Sequence, residues 1–269
     1  METGLKGRSA VISGGSKGIG RGIARALAAE GVNLALLARS EKEVKAAADA
    51  IAAEFGVVAI GLPTDITRTA DLKTAKAALA AHRAFATVNI VVNNAAGPIT
   101  SLERQINWAD KDWMDAIDVK TVGALRIVRE FLPLLPPDGT GRVINVAGAS
   151  GVAVWNPALL HGINNAALIY ATGFLAADLA AQRITVNAII PGLVATEYRQ
   201  EWAEQLGEKQ GRSGDEAIAE LCKSKGILLG RMAKMEEIGD LAAFLASDRA
   251  AYITGAKIPI DGGFLVNAR

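Results

Sequence analysis

Short apolar runs alternate with longer stretches of helical periodicity along most of the chain. The runs predict buried strands over 9–12, 32–38, 57–62, 88–92, 142–146 and 184–189. Helical spacing of apolar residues predicts helices beginning near Ile19 and over 42–55, 71–83, 125–134 and 158–181. Strands without polar alternation, separated by helices, are typical of a parallel sheet that is covered on both faces. Right-handed crossovers then give a Rossmann-like, doubly wound α/β fold.

The pattern continues through both halves without a linker, a low-complexity tract or an internal repeat. We therefore expect a single domain over 1–269. The most polar stretch, 197–225, follows the last predicted strand. It predicts a lid-like insertion around 197–229, and an ordinary pair of solvent-exposed helices is the alternative.

The predicted helix over 158–181 is apolar on most of its sides, for example at Leu160, Ile163, Leu168 and Phe174. A helix of this kind needs a second covering element besides the sheet. A neighbouring subunit would supply it in a homo-oligomer, either a dimer or a tetramer. The alternative cover is the C-terminal segment of the same chain.

Composition narrows the function classes. The 269 residues carry 29 Lys and Arg against 28 Asp and Glu, a net charge of +1, which gives no reason to expect nucleic acid or an anionic membrane as partner. One cysteine, Cys222, and two histidines argue against a metal site. The segment 1–8 includes charged residues where a signal peptide needs an apolar run. No apolar run in the sequence is long enough for a membrane span. A cytoplasmic protein is the expectation.

A glycine-rich loop, Ser13-Gly14-Gly15-Ser16-Lys17-Gly18-Ile19-Gly20, follows the first predicted strand and opens the first helix. Glycines there permit a tight turn and close approach of the backbone to a phosphate. The helix start would present free N–H groups to the pyrophosphate of a dinucleotide. We expect this cofactor to contact Gly14, Ser16, Lys17, Gly18, Ile19 and Gly20.

The end of the second predicted strand indicates which dinucleotide binds. Folds that prefer NAD usually have an acidic residue there, which holds the ribose hydroxyls. This chain has Ala38 followed by Arg39. Arg39 and Lys17 together would bind a ribose 2′-phosphate, so the sequence favours NADP(H) over NAD(H). Two solvated surface cations are the alternative.

With these motifs the chain resembles the short-chain dehydrogenase/reductase family over nearly its whole length. Further matches are Asp65 after the third strand, Asn93-Asn94-Ala95 after the fourth, Arg183 to Asn187, Pro191-Gly192 with Thr196, and the C-terminal Asp261-Gly262-Gly263. The resemblance implies an oxidoreductase that acts on a small-molecule carbonyl or alcohol substrate. It also implies cofactor contacts at Asp65, Ile66, Asn94, Ala95, Pro191, Gly192 and Thr196.

The resemblance breaks at the catalytic positions. The family uses a tyrosine and, one helical turn later, a lysine, together with an upstream serine and an asparagine on an earlier helix. Gap-free matching places His161 at the tyrosine, Asn165 at the lysine, Gly148 at the serine and Lys120 at the asparagine. All four residues differ from the family pattern, and lysine and asparagine have exchanged places.

Three hypotheses follow. The first is a rebuilt redox site in which His161 exchanges a proton with the substrate and a nearby Lys120 lowers its pKa. Asn165 is the third candidate of that site. The second is a non-redox enzyme, a lyase, hydratase or isomerase, that uses the same pocket. The third is a pseudoenzyme that binds NADP(H) without turnover.

Overall fold

The computed structural model describes residues 2–97, 105–156 and 158–267. Within these ranges, seven parallel strands form one sheet in the order β3-β2-β1-β4-β5-β6-β7. The strands are β1 (Ser9–Ser13), β2 (Asn33–Ala38), β3 (Ala59–Pro63), β4 (Ile90–Asn93), β5 (Arg142–Val146), β6 (Thr185–Pro191) and β7 (Lys257–Ile260). The predicted doubly wound α/β fold is confirmed.

Helices cover both faces of this sheet. They are α1 (Gly18–Ala29), α2 (Glu41–Phe55), α3 (Thr69–Ala80), α4 (Asp110–Ile117), α5 (Gly123–Phe131), α6 (Leu159–Asp178), α7 (Glu197–Gln210), α8 (Gly214–Ser224), α9 (Met235–Ala246) and α10 (Phe264–Asn267). A π-helical turn, Asp118–Val122, joins α4 to α5. Among the described helices, none is long and apolar enough to cross a membrane.

Apolar side chains on both sheet faces build the core. Alternate residues of β1 illustrate this, because Ile12 packs with Ile23 and Leu27 of α1, whereas Val11 packs on the opposite face with Phe131. Every residue of β1, β4, β5 and β6 is buried. Full burial explains why these strands lack polar alternation in the sequence.

The sheet order creates the place for a ligand. Strand β1 lies between β2 and β4, so the connections that leave β1 and β4 run to opposite sides of the sheet. In doubly wound sheets, this divergence opens a crevice at the carboxyl ends of the strands. The glycine loop follows β1 and Asn94 follows β4, so both reach this crevice.

For two predicted features the structure bears on the alternatives. The stretch 197–225 forms the helix pair α7 and α8, which pack against each other. Helix α6 leaves Tyr170 and Phe174 exposed by 77% and 64%, and no described segment covers them. The C-terminal segment therefore does not supply the cover expected for these two side chains.

Candidate active site and cofactor cavity

A cavity of about 720 Å³ lies at the carboxyl ends of the strands. At one end it is lined by Lys17 and Arg39, and at the other by Lys120 and His161. Asn94 and Ala95 lie on its wall between these ends. One continuous space therefore connects some of the predicted cofactor residues to two of the predicted catalytic residues.

The glycine loop is held by short-range constraints. Gly14 has a φ of +65°, and a Cβ there would lie 2.9 Å from Asn94 Nδ2. Asn94 Nδ2 donates to the carbonyl oxygens of Ser13 and Gly14, each at 3.2 Å. A Cβ at Gly20 would lie 2.1 Å from the Gly14 oxygen. Because of these contacts the loop must have glycine at both positions.

The start of α1 carries a carboxylate from α7. The Gly18 N–H donates to Glu197 Oε2 at 3.2 Å, and Arg21 forms an ion pair with the same carboxylate. Thr196 caps α7 and would contact a Cβ at Gly18 at 3.4 Å. The loop after β6 and the glycine loop thus meet at the start of α1.

The Arg39 end of the cavity combines charges of both signs. Lys17 Nζ lies 3.7 Å from Glu43 Oε2, and both side chains line the cavity. Asp65 accepts hydrogen bonds from Thr67 N at 3.0 Å and Thr67 Oγ1 at 2.7 Å. Burial raises the pKa of Asp65, but the Thr67 hydrogen bonds and then the charge of Arg39 outweigh it and lower the pKa. Arg39 is therefore near an ionised Asp65.

The other predicted cofactor residues divide into two groups. Ser16, Asp65 and Ile66 line the cavity with Gly14 and Ala95. Gly18, Ile19, Gly20, Pro191, Gly192 and Thr196 are not among its lining residues. Pro191 and Gly192 end β6 beside β7, where the Gly192 N–H donates to the Ile260 oxygen at 3.1 Å.

Lys120 is a buried cation in the π-helical turn. Its side chain is 8% exposed, and Nζ donates to the Ala147 carbonyl oxygen at 3.3 Å. Burial lowers the pKa of Lys120 to about 8. A lysine with this pKa exchanges protons near neutral pH, which an ordinary surface lysine does not do.

His161 lies in the first turn of α6 and lines the same cavity. Burial lowers its pKa to about 4, and the positive charges of Lys120 and Arg199 add to the lowering. His161 is therefore neutral at pH 7, with one ring N–H as donor and the other ring nitrogen as acceptor. Because the pKa of His161 lies so far below 7, Lys120 is the better proton donor of the two at pH 7.

Asn165 and Gly148 lie together beneath the cavity and do not line it. Asn165 Nδ2 donates to Ser150 Oγ at 2.9 Å, and its buried Oδ1 accepts no hydrogen bond from the described residues. A Cβ at Gly148 would lie 2.7 Å from Asn165 Nδ2. The Asn165 amide thus fills the space that a side chain at position 148 would need.

Sequence patterns did not predict two residues of the site. Arg199, in the first turn of α7, is near enough to lower the pKa of His161. Asn164 lines the cavity and accepts a hydrogen bond from Thr121 Oγ1 at 2.9 Å. No spacing rule reveals either residue, because their proximity depends on how α7 and the π-helical turn pack around α6.

The donor set fits a dinucleotide. The glycine loop offers backbone N–H groups, of which that of Gly18 is bound to Glu197 and would have to be released to a phosphate. Arg39 and Lys17 offer positive charge, and the cavity is within the usual range of about 300 to 1,000 Å³ for small-molecule sites. Among the described residues, no group of three or more His, Cys, Asp or Glu side chains could hold a metal ion.

Comparison with known proteins identifies related sequences. The family model described as enoyl-(acyl carrier protein) reductase matches residues 14–265. Oxidoreductase UcpA of Salmonella typhimurium is 34% identical, and the match covers 96% of this chain and 95% of UcpA. The 3-oxoacyl-(acyl-carrier-protein) reductase FabG of Aquifex aeolicus is 28% identical, covering 98% and 99%.

A solved structure extends the likeness to the fold. L-Sorbose reductase from Gluconobacter frateurii, complexed with NADPH and L-sorbose, superposes with a TM-score of 0.90. It is 29% identical, and the match covers 98% of this chain and 99% of that one. From the matched family model, the relatives and the shared sheet, we conclude that this chain belongs to the short-chain dehydrogenase/reductase family of oxidoreductases.

Proposed function

We propose that the chain is an NADP(H)-dependent oxidoreductase that interconverts a small carbonyl compound and its alcohol through an atypical catalytic site. The observation that carries the proposal is the single cavity that joins Arg39 and the glycine loop to Lys120 and His161. The sorbose reductase, a structural neighbour, was crystallised with NADPH and a sugar, which supports a nicotinamide cofactor and a carbonyl substrate.

Preference for NADP(H) is supported by the charges at the Arg39 end. Arg39 and Lys17 both line the cavity, and no acidic residue occupies the end of β2 at Ala38. A guanidinium pairs with phosphate oxygens through parallel hydrogen bonds. Glu43 opposes this preference, because its carboxylate would lie near a bound 2′-phosphate.

The proposed chemistry divides between hydride and proton. When bound, NADPH supplies the hydride that joins the carbonyl carbon, and the carbonyl oxygen then needs a proton. With a pKa of about 8, Lys120 is about nine-tenths ammonium at pH 7 and donates that proton. Neutral His161 donates its ring N–H to the same oxygen and orients it. Asn165 acts beneath the cavity by holding Ser150.

A binding measurement and an activity assay test the proposal. The first measures binding of NADPH and NADH to the purified protein by calorimetry, and we expect tighter binding of NADPH. The second follows loss of NADPH absorbance with a panel of aldehydes, ketones and keto sugars. Absence of binding to either nucleotide would refute the proposal. Substrate turnover without loss of NADPH would instead assign the site to non-redox chemistry, and binding without any turnover to a pseudoenzyme.

The exposed aromatic face of α6 supports a homo-oligomer, either a dimer or a tetramer. Tyr170 and Phe174 would be covered by a second copy of the chain. Light scattering coupled to size exclusion measures the mass. A monomer at micromolar concentration would contradict this part of the proposal.

A further inference from the structure

Asn164 is a polar side chain of the cavity wall to which the proposed chemistry gives no role. It lies in α6, is only 2% exposed and lines the cavity. Its Oδ1 accepts a hydrogen bond from Thr121 Oγ1 at 2.9 Å. Thr121 belongs to the π-helical turn, which packs against α6. A neighbouring element therefore fixes the orientation of the Asn164 amide.

The nitrogen end of this amide is available to a ligand. Nδ2 carries two N–H donors, and neither donates to an atom of the described residues. Nδ2 is also absent from the fully buried polar atoms without a partner, so it keeps accessible surface. Because Oδ1 faces Thr121 and the small accessible surface of Asn164 lies in the cavity, Nδ2 faces the cavity. An acceptor on a ligand would complete this nearly buried donor.

Asn164 lies beside the two residues that the proposed function assigns to the carbonyl group. His161 precedes it by three positions on α6, and side chains at this spacing share a helix face with Cβ atoms ~5–6 Å apart. Lys120 directly precedes Thr121, the residue that holds the amide. Lys120, His161 and Asn164 all line the same cavity. With the carbonyl oxygen at Lys120 and His161, the amide can therefore reach an oxygen on the adjacent carbon.

We infer that the substrate is an α-oxygenated carbonyl compound, a hydroxy ketone or hydroxy aldehyde, whose second oxygen accepts a hydrogen bond from Asn164 Nδ2. The inference rests on the proposed function for the carbonyl half, whereas the oxygen subsite stands on the geometry of Asn164. A neutral oxygen fits better than a carboxylate, because the amide carries no charge to balance one. Asn164 thus determines specificity, and Thr121 is a positioning residue that acts through it.

Matched ketones test the inference. Reduction of hydroxyacetone and of butanone is followed at saturating NADPH in the wild type and in Asn164→Leu, which removes the donor at similar volume. Intrinsic reactivity cancels when the ratio of kcat/KM for the two ketones is compared between the proteins. We expect this ratio to fall by about three- to tenfold in Asn164→Leu, the usual effect of one neutral hydrogen bond. An unchanged ratio would overturn the role of Asn164.

Asn156→Leu is the matched control for this comparison, because Asn156 is exposed and does not line the cavity. It should leave the ratio of kcat/KM for hydroxyacetone and butanone as it is in the wild type. A ratio that falls equally in Asn156→Leu and Asn164→Leu would mean that the preference does not arise at Asn164.

Two variants of Thr121 separate orientation of the amide from a general loss of structure. Thr121→Val removes the hydroxyl that holds Asn164 Oδ1, and we expect part of the preference for hydroxyacetone to be lost while the Kd for NADPH stays unchanged. Thr121→Ser keeps the hydroxyl and should keep the preference. A preference that is lost in both variants, or in neither, would refute the positioning role of Thr121.

An ether tests the direction of the hydrogen bond. Methoxyacetone carries an oxygen that only accepts, and 2-pentanone has the same shape without that oxygen. If the Asn164 amide donates, methoxyacetone has an advantage over 2-pentanone that disappears in Asn164→Leu. A preference confined to hydroxyacetone would mean that the substrate donates to the amide oxygen, and it would overturn the assignment of Nδ2 as the donor.

A binding experiment separates this inference from the proposed redox function. Glycolamide and propanamide differ only in a hydroxyl for a methyl group, and NADPH does not reduce amides, so both bind without turnover. Calorimetry compares their Kd values on the nucleotide-free and the NADPH-loaded protein. If no carbonyl compound is reduced but glycolamide binds about three- to tenfold tighter and loses this advantage in Asn164→Leu, the oxygen subsite stands and the redox function fails. If ketones are reduced with the same ratio in the wild type and Asn164→Leu, and glycolamide has no advantage, the redox function stands and the oxygen subsite fails.

Discussion

The two ends of the cavity solve different physical problems. At the Arg39 end, polar groups are paired within the chain: Asn94 bonds to the glycine loop and Asp65 bonds to Thr67. At the inner end, the buried ammonium of Lys120 donates to a backbone carbonyl and forms no ion pair with a described carboxylate, and its charge helps to keep His161 neutral. The first end is preorganised, because hydrogen bonds within the chain already hold its polar groups in place. The second end holds a buried lysine with a strongly lowered pKa, which is typical of a functional site.

The largest expected effect is that of Lys120→Met. Removing the proposed proton donor should lower kcat for carbonyl reduction by about 10² to 10⁴, the usual contribution of general acid catalysis. The same variant should be more stable than the wild type at pH 7, because it removes a buried charge whose pKa is lowered to about 8. Denaturant unfolding and steady-state kinetics measure the two effects.

Lys73→Met controls for loss of an exposed lysine, since Lys73 lies on α3 and does not line the cavity. It should change neither quantity. A Lys120→Met enzyme with unchanged kcat would remove Lys120 from the mechanism. In the wild type, kcat for reduction should fall as pH rises through about 8, because the ammonium form of Lys120 is lost.

His161 should make the fold sensitive to acid. Its pKa is about 4 in the folded chain, against the ordinary histidine value of 6.5 in the unfolded chain, so the unfolded chain binds the extra proton between these values. Stability therefore falls as pH is lowered from about 6.5 to 4, by up to about 3 kcal/mol from this group. His161→Gln should lose that part of the pH dependence in denaturant unfolding at several pH values.

The second histidine is the natural control for this measurement. His82 is exposed beyond the end of α3, and His82→Gln should leave the acid dependence unchanged. If His161→Gln and the wild type lose stability in parallel between pH 6.5 and 4, the imidazole is not held neutral by its surroundings.

Cofactor selectivity tests the better-paired end of the cavity. Arg39→Leu should weaken NADPH binding by about 10- to 100-fold, as expected when a charged hydrogen-bonded contact is lost, and leave NADH binding nearly unchanged. Arg68→Leu is a matched control, because Arg68 also acts on Asp65 but does not line the cavity. Equal weakening for both nucleotides, measured by calorimetry, would show that Arg39 does not contact the 2′-phosphate.

The two ends of the cavity also differ in how well the sequence predicted their residues. Hydrophobic pattern predicted the strands through β6, which are fully or largely buried except for the partly buried β3, but missed β7, a four-residue strand that is partly exposed and contains Pro259. The glycine loop and Arg39 follow β1 and β2 directly, so local sequence sufficed to bring them to the cavity. Local context could not do so for Arg199, which approaches His161 only through the packing of α7 against the rest of the chain.

The close contact between positions 148 and 165 beneath the cavity predicts a smaller, purely steric effect. Gly148→Ala would bring a Cβ to 2.7 Å from Asn165 Nδ2 and push the amide away from Ser150. We expect a loss of about 1 to 3 kcal/mol in the free energy of unfolding, the usual cost of overpacking. In an Asn165→Ala background the same substitution should cost less than about 0.5 kcal/mol. Additive costs in this double-mutant cycle would mean that the two positions are not coupled.

The smallest effect concerns the Glu43 carboxylate, which lies near the proposed 2′-phosphate site. Glu43 lies 3.7 Å from Lys17, and both side chains are more than half exposed, so their pairing contributes less than about 1 kcal/mol. Glu43→Gln should therefore strengthen NADPH binding by no more than about fivefold, because it frees Lys17 and removes repulsion. Calorimetry at low and high salt measures this, and the gain should shrink as salt screens the charges. If Glu43→Gln weakens NADH binding instead and leaves NADPH unaffected, Glu43 holds ribose hydroxyls and the Arg39 end is built for NAD(H).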